Sequence, residues 1–223
     1  MPQVIVFDVI ETLLDLKALD PFFVRLFGDA GAREQWFARV LKTALTTTVT
    51  GPYQEFGKIG GAALEMTAAL RGRSVGEDDR RQLREALANL PAHPDVVGGL
   101  STLRDAGFRL ASLSNNARQS SEAQLRHAGL LGLFDLVLSA DEVQRLKPAP
   151  EPYQHAALRL GVEVAELWMV AAHGWDIEGA QRAGCRTAFV ARPGHVLSPL
   201  APPPTVSGPD LGAVAAAIRQ QAG

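Results

Sequence analysis

Short apolar runs alternating with helical patterns constrain this chain more than any other feature. The runs are VIVFDV (4–9), FRLASLSN (108–115), FDLVLSA (134–140), LWMVAA (167–172) and RTAFVAR (186–192). Each reads as a strand buried on both faces. Between them lie helical segments at 96–107, 118–129, 150–161 and 176–184, several of which stop at a glycine. Strands separated by helices argue for an α/β fold, a parallel sheet covered on both faces.

The alternation is interrupted once. From Leu16 to Leu90 there is little strand signal. AREQWFARVLKTAL carries Trp36, Phe37, Val40, Leu41, Ala44 and Leu45 as a helical stripe, and KIGGAALEMTAALRG and EDDRRQLREALANL are also helical. A helical insert therefore follows the first strand, and the α/β pattern resumes near Pro91, His93 and Pro94. The expected division is a core of residues 1–15 and 91–223 with a helical domain at 16–90. The tail PLAPPPTVSGPDLGAVAAAIRQQ reads as a proline-rich loop and a final helix.

Composition excludes several function classes. A chain of 223 residues, 47% hydrophobic and 21% charged, can bury a sizeable core. A net charge of −2 without a Lys/Arg block argues against nucleic acid or an anionic membrane as the main partner. One cysteine, Cys185, excludes an intrachain disulfide and a multi-cysteine metal site, and a small buried residue is its expected role. The first apolar stretch is broken by Asp8, Glu11 and Asp15 and has no basic leader, so a secretory signal is not expected. No run approaches the ~20 apolar residues that span a bilayer. A soluble cytoplasmic protein is the expectation. GPYQEFGKI fails the P-loop spacing, and no G-x-S-x-G elbow is present. His93, His127, His155 and His195 are scattered without metal-ligand spacing.

In an open parallel sheet, ligands bind beyond the carboxyl ends of the strands. Polar groups stand at four such places: Asp8; Ser114 with Asn115; Lys147; and His173 with Asp176. The segments FDVIETLLD, LSNN, LKPAPEPY and VAAHGWDIEGAQRAG resemble, in order, the four motifs of the haloacid dehalogenase superfamily. The similarity spans most of the chain. It implies a Rossmann-like three-layer core, with the insert after the first strand as a helical cap domain.

Phosphatases of that superfamily carry D-x-D, in which the second aspartate protonates the leaving oxygen and Mg²⁺ neutralises the phosphoryl group. Here the second position is Ile10. A halide leaves carbon without a proton, and an apolar residue suits the wall of such a site. The resemblance is therefore to the L-2-haloacid dehalogenase branch. It implies a metal-independent, cofactor-free hydrolysis of short 2-halo carboxylic acids through an ester on Asp8. A small-molecule phosphatase, which would need Mg²⁺, and a non-catalytic or weakly active member are the alternatives. The resemblance is also compatible with a homodimer.

The same resemblance implies roles by residue. Asp8 is the nucleophile and Ile10 part of the apolar wall. Thr12 would hydrogen-bond near Asp8, although read alone it caps the following turn. Ser114 and Asn115 would bind the substrate carboxylate, and they equally cap a strand-to-helix turn. Lys147 would keep Asp8 ionised, with Tyr153 supporting the lysine or packing. Arg39 would receive the halide from a cap whose polar face roofs the cleft; read alone, it is a solvated arginine. Asp176 would position Lys147 or the attacking water, and it also fits a helix N-cap. Trp175 would line the pocket or pack in the core. Two positions depart from the pattern: Ala171 replaces a serine, and His173 replaces an asparagine. His173 can act as donor, as positive charge near the halide, or as base for water. Glu11 replaces a glycine, which a bulkier residue tolerates only with a negative φ.

Overall fold

The structure, a computed structural model, describes residues 3–222. The strands are β1 (Val4–Phe7), β2 (Arg109–Ser114), β3 (Leu136–Ser139), β4 (Leu167–Ala171), β5 (Arg186–Val190) and β6 (Val206–Gly208). They form one sheet in the order β3-β2-β1-β4-β5-β6, with every pairing parallel. Helices α1 (Asp20–Phe27), α2 (Gly31–Thr50), α3 (Phe56–Leu70) and α4 (Glu77–Ala88) lie between β1 and the rest of the core. Helices α5 (Val96–Asp105), α6 (Arg118–His127), α7 (Pro150–Leu160), α8 (Gly174–Ala183) and α9 (Leu211–Ala222) alternate with the later strands or close the chain.

β1 shows why these short runs become strands. All four of its residues are fully buried. Successive side chains of a strand point to opposite faces. Ile5 and Phe7 pack with Trp168, Val170, Leu100 and Leu211. Val4 and Val6 join Met169, Leu113, Tyr153 and Ile177 on the other face. A strand buried on both faces has no polar alternation, hence the continuous apolar run. The strand order reverses between β1 and β4, so the crevice beyond their carboxyl ends is the place where such sheets bind ligands. Asp8 and His173 leave the sheet there.

The helical insert is built around aromatic contacts. Trp36 of α2 packs on Phe23 of α1 with ring centroids 5.4 Å apart, and its Nε1 donates to Gly60 O of α3 at 2.9 Å. Arg145 Nη1 donates to Thr48 O at 2.8 Å, and Tyr53 donates to Asp141, tying the insert to the core. No helix among the described residues is long and apolar enough to cross a membrane.

Two features differ from the sequence reading. β6 arises within the segment read as a proline-rich loop; at three residues, Val206–Gly208, it offers no apolar run to reveal it. Helix α8 begins at Gly174, two residues before the expected start. Asp176 is therefore inside the first turn and fully buried, not an N-cap.

Helices α7 and α8 approach closely at Gly179. A Cβ there would lie 2.4 Å from Pro148 Cβ and 2.8 Å from Tyr153 Oη. Gly179→Ala should therefore destabilise by about 1–3 kcal/mol, read as a lower urea midpoint at unchanged m-value.

Candidate active site

Asp8 stands one residue past β1, and its N–H still donates to Val170 O at 3.0 Å. The chain then turns tightly: the N–H groups of Leu13 and Leu14 both donate to Val9 O, at 2.9 and 3.0 Å. This turn aims the Asp8 carboxylate into the crevice and brings Thr12 back beneath it. Thr12 Oγ1 donates to Asp8 Oδ2 at 2.6 Å and accepts from Ala172 N at 2.9 Å. Thr12 is thus a bridge between the loops after β1 and β4. Arg192 secures the same turn: Nε and Nη2 donate to Thr12 O at 3.2 and 3.0 Å, while Nη1 pairs with Asp95 at 2.7 Å.

The centre is an ammonium between two buried carboxylates. Lys147 Nζ donates to Asp8 Oδ1 at 2.9 Å, to Asp176 Oδ2 at 2.6 Å and to Leu113 O at 3.0 Å. All three N–H bonds of an ammonium are used. Tyr153 Oη donates to Asp176 Oδ1 at 2.6 Å. Asn115 does not point its amide at open space. Its Oδ1 accepts from Lys147 N at 2.8 Å and its Nδ2 donates to Lys147 O at 3.3 Å, so it fixes the lysine's backbone. Ser114 Oγ accepts from Asn116 N at 3.1 Å, at the turn into α6.

Electrostatics follow from these contacts. Burial alone would raise the Asp8 pKa; the Lys147 charge, with help from His173 and Thr12, outweighs it and holds the carboxyl well below the usual range. Burial opposes the Lys147 charge, but Asp176 and Asp8 overcome it and keep the ammonium protonated. Burial and the charge of Asp176 push the Tyr153 phenol up, so it remains a neutral donor.

His173 adds a second positive group. Its Nδ1 lies 3.1 Å from Asp8 Oδ2, and its Nε2 lies 2.9 Å from Glu11 Oε2. Both ring nitrogens face carboxylates, so both act as donors. Burial would lower its pKa, but hydrogen bonds and charge from Asp8 and Glu11 raise it to about 9. The ring stacks on Trp175 at 5.1 Å and meets His195 edge-on at 5.1 Å. Burial would raise Glu11, but the hydrogen bond from His173, with His195 close by, wins and lowers it to about 2.

Three expectations need correction. Glu11 has φ +64°, in the left-handed region, contrary to the negative φ expected of a non-glycine there. Its carboxylate is anchored by His173, with His195 3.7 Å and Arg33 3.9 Å away. Arg39 does not face the site. Its Nη1 donates to Gln35 O of its own helix at 2.8 Å. At roughly 100° per residue, Arg39 is about 200° around α2 from both Phe37 and Leu41, and it is those two that line the chamber beside Asp8. The insert roofs the site with its apolar face, not its polar one. His195, read as isolated, joins Glu11 and His173 with one potential ligand atom each within 4.8 Å of one another. The 2.9 Å separation of Glu11 and His173 is that of a hydrogen bond. Ligands on a tetrahedral zinc with bonds of about 2.0 Å stand roughly 3.3 Å apart. With Arg33 on the same carboxylate, the group is a hydrogen-bonded cluster.

The chamber in front of Asp8 is small, about 20 Å³, and is walled by Ile10, Phe37, Leu41, Phe56 and Trp175. A cavity of about 510 Å³, walled by apolar residues together with Arg80, Arg84 and Gln124, adjoins it across Ile10, Phe37 and Phe56. On the other side lies a cleft of about 660 Å³ that shares Phe37, Leu41, His173 and Trp175 and also reaches Glu11 and His195. The structure thus gathers Asp8, Ile10, Thr12, Ser114, Asn115, Lys147, Tyr153, His173, Trp175 and Asp176 around one chamber and leaves Arg39 outside. The sequence reading missed Glu11 as a partner of His173, and Phe37, Leu41 and Phe56 as chamber walls. The apolar stripe of α2 carried a signal for Phe37 and Leu41.

The family model described as haloacid dehalogenase-like hydrolase matches residues 2–184. The chain is 34% identical over 191 residues to (S)-2-haloacid dehalogenase 1 of Pseudomonas sp. (strain CBS-3), covering 84% of this chain and 83% of the relative. It is 34% identical over 199 residues to (S)-2-haloacid dehalogenase 4A of Burkholderia cepacia, with 85% and 83% covered. Its fold is similar to that of L-2-haloacid dehalogenase from Xanthobacter autotrophicus with chloropropionic acid covalently bound. There the TM-score is 0.91 at 26% identity, over 98% of this chain and 99% of that one. The family model over residues 2–184 and two relatives at 34% identity, matched along more than four-fifths of their length, show that the chain belongs to the haloacid dehalogenase-like hydrolase family, in the branch of the (S)-2-haloacid dehalogenases.

Proposed function

We propose that the chain hydrolyses short 2-halo carboxylic acids to 2-hydroxy acids without a metal, through an ester on Asp8. The observation that carries this reading is an ionised, hydrogen-bonded carboxylate facing a small chamber whose +2 residue is Ile10. An oxygen of Asp8 attacks C2, and the halide departs with the bonding electrons and inversion at C2. Water then attacks the ester carbonyl, and the 2-hydroxy acid is released.

The other residues support that chemistry. Lys147 keeps Asp8 ionised and oriented, and Asp176 with Tyr153 holds the ammonium. Ser114 and the N–H groups of the turn into α6 form a binding place for the substrate carboxylate. Asn115 shapes the lysine loop. The His173 cation, beside Phe37 and Trp175 in the chamber wall, receives the leaving halide in place of Arg39. The same reading makes this a cytoplasmic enzyme whose partner is the halogenated carboxylate.

Lys147 Nζ occupies the space between Asp8 and Asp176. A phosphatase reading would need Mg²⁺ held by these carboxylates and a proton donor at Ile10, and the donor set fits it less well.

Halide release from L-2-chloropropionate in EDTA tests the reading, with a phosphomonoester and Mg²⁺ in parallel. Phosphate release without halide release would overturn it. Freshly purified Asp8→Asn should lose at least about 10³-fold in kcat. Arg39→Ala should stay within about two-fold of the parent in kcat/KM, since its side chain is outside the chamber. Lys147→Met leaves two buried carboxylates without a counter-charge, and about 3–5 kcal/mol of stability should go with it in denaturant titration. The raised pKa of His173 gives stability that is full below pH 6.5 and lost as pH rises through about 9. The ceiling is about 3 kcal/mol. A Tm that falls from pH 6.5 to 9.5, and falls less in His173→Gln, is the expected result.

A further inference from the structure

The chamber before Asp8, at about 20 Å³, has room for roughly one water-sized group. A 2-halo acid carries a carboxylate, a halogen and a side chain on C2, so part of it must extend into an adjoining space. We infer that the cavity of about 510 Å³ receives the C2 side chain. The favoured substrates are then 2-halo acids whose side chain is apolar and about four to six carbons long, not the shortest members; this deepens the dehalogenase reading above and rests on it.

The size suits a ligand. Small-molecule sites run from about 300 to 1,000 Å³. At roughly 30 Å³ per carbon, the volume a water takes in the liquid, six carbons need about 180 Å³. The cavity also begins where C2 would stand. Ile10, Phe37 and Phe56 border both spaces, and Asn116, of the turn that would anchor the carboxylate, lines the cavity.

The walls select for hydrocarbon. Trp36 and Val40 of α2, Leu64 of α3 and Leu83 of α4 are buried and face the cavity. The polar groups among the walls already have partners. Arg80 pairs with Glu65 at 2.8 Å and Glu77 at 3.5 Å, and Arg84 pairs with Glu77 at 3.0 Å. Gln124 Nε2 donates to Leu87 O at 2.8 Å, and its Oε1 accepts from Asn116 Nδ2 at 3.3 Å. Trp36 Nε1 is on Gly60 O. An occupant is offered mainly apolar contact. The cleft on the other side is bordered instead by Glu11, Lys17, Arg33, Glu34 and Glu178, a poor host for an alkyl chain.

Helix α3 supplies an independent observation. It spends three glycines, Gly57, Gly60 and Gly61, on the cavity wall, although glycine weakens a helix interior relative to alanine. A Cβ at Gly57 or Gly61 would meet nothing within 4 Å, and one at Gly60 would be 3.9 Å from Trp36 Cζ2. Packing does not demand these glycines. Their effect is to keep the space open.

Halide release in EDTA from L-2-chloropropionate, L-2-chlorohexanoate and L-2-chlorooctanoate tests the inference. In the parent enzyme kcat/KM should rise about 10-fold or more from the first acid to the second, since each buried methylene is worth about a factor of four. Gly61→Leu, which fills the cavity and strengthens the helix, should cut the ratio of chlorohexanoate to chloropropionate by about 10-fold or more. Ala123→Phe fills the cavity from exposed Ala123 on α6, should act in the same direction, and serves if Gly61→Leu fails to fold. A flat or falling series in a parent enzyme that releases chloride from chloropropionate would overturn the inference and leave the dehalogenase reading standing. A rising series that persists in both folded variants would also overturn it, by placing the side chain outside this cavity. A parent that releases no halide from any of the acids overturns the dehalogenase reading, and this inference with it.

Discussion

A single ammonium holds the site together. Lys147 lies between Asp8 and Asp176, 1% exposed, with every N–H bond used. Two carboxylates this deep would repel each other and take up protons if the lysine were absent. With it, the loops after β1, β2 and β4 have one common point to satisfy. Asn115 clamps the lysine's backbone, Tyr153 holds the far carboxylate, and Thr12 ties Asp8 to Ala172 N. Much of what surrounds Asp8 is present to keep that charge balance closed.

The core was legible because its physics is local. VIVF, LWMVA and RTAFV are buried on both faces and therefore read as unbroken apolar runs. The placing of Asp8, Ser114, Lys147 and Asp176 at one rim followed from the rule that parallel strands share their carboxyl ends. β6 was not legible, because a three-residue edge strand ending in Gly208 needs little apolar character. The start of α8 was missed because Gly174 and Trp175 carry no capping signal, and the side chain of the actual N-cap, His173, makes no capping bond.

The site walls were harder to read than its acids and bases. Arg39 attracted a role because cations suit halides, yet the turn of α2 sends it away and brings in Phe37 and Leu41. A helix that covers a crevice buries its apolar stripe there, and the charge on its other side says little about the crevice. Glu11 was read as a misfit in a glycine's place. Its use appears only when His173, 162 residues further along, folds onto its carboxylate. Contacts at such separation leave no local pattern in a sequence.

The chamber before Asp8 sits between two larger spaces. One is a cavity reached past Ile10, Phe37 and Phe56, with Arg80 and Arg84 among its walls; the other is a cleft bordered by Glu11, Lys17, Arg33 and His195. A chamber flanked on two sides gives the dehalogenase reading a simple corollary: the entering acid and the departing anion need not share one route. In that sense the side chain of Phe37, which borders all three spaces, is a partition as much as a wall.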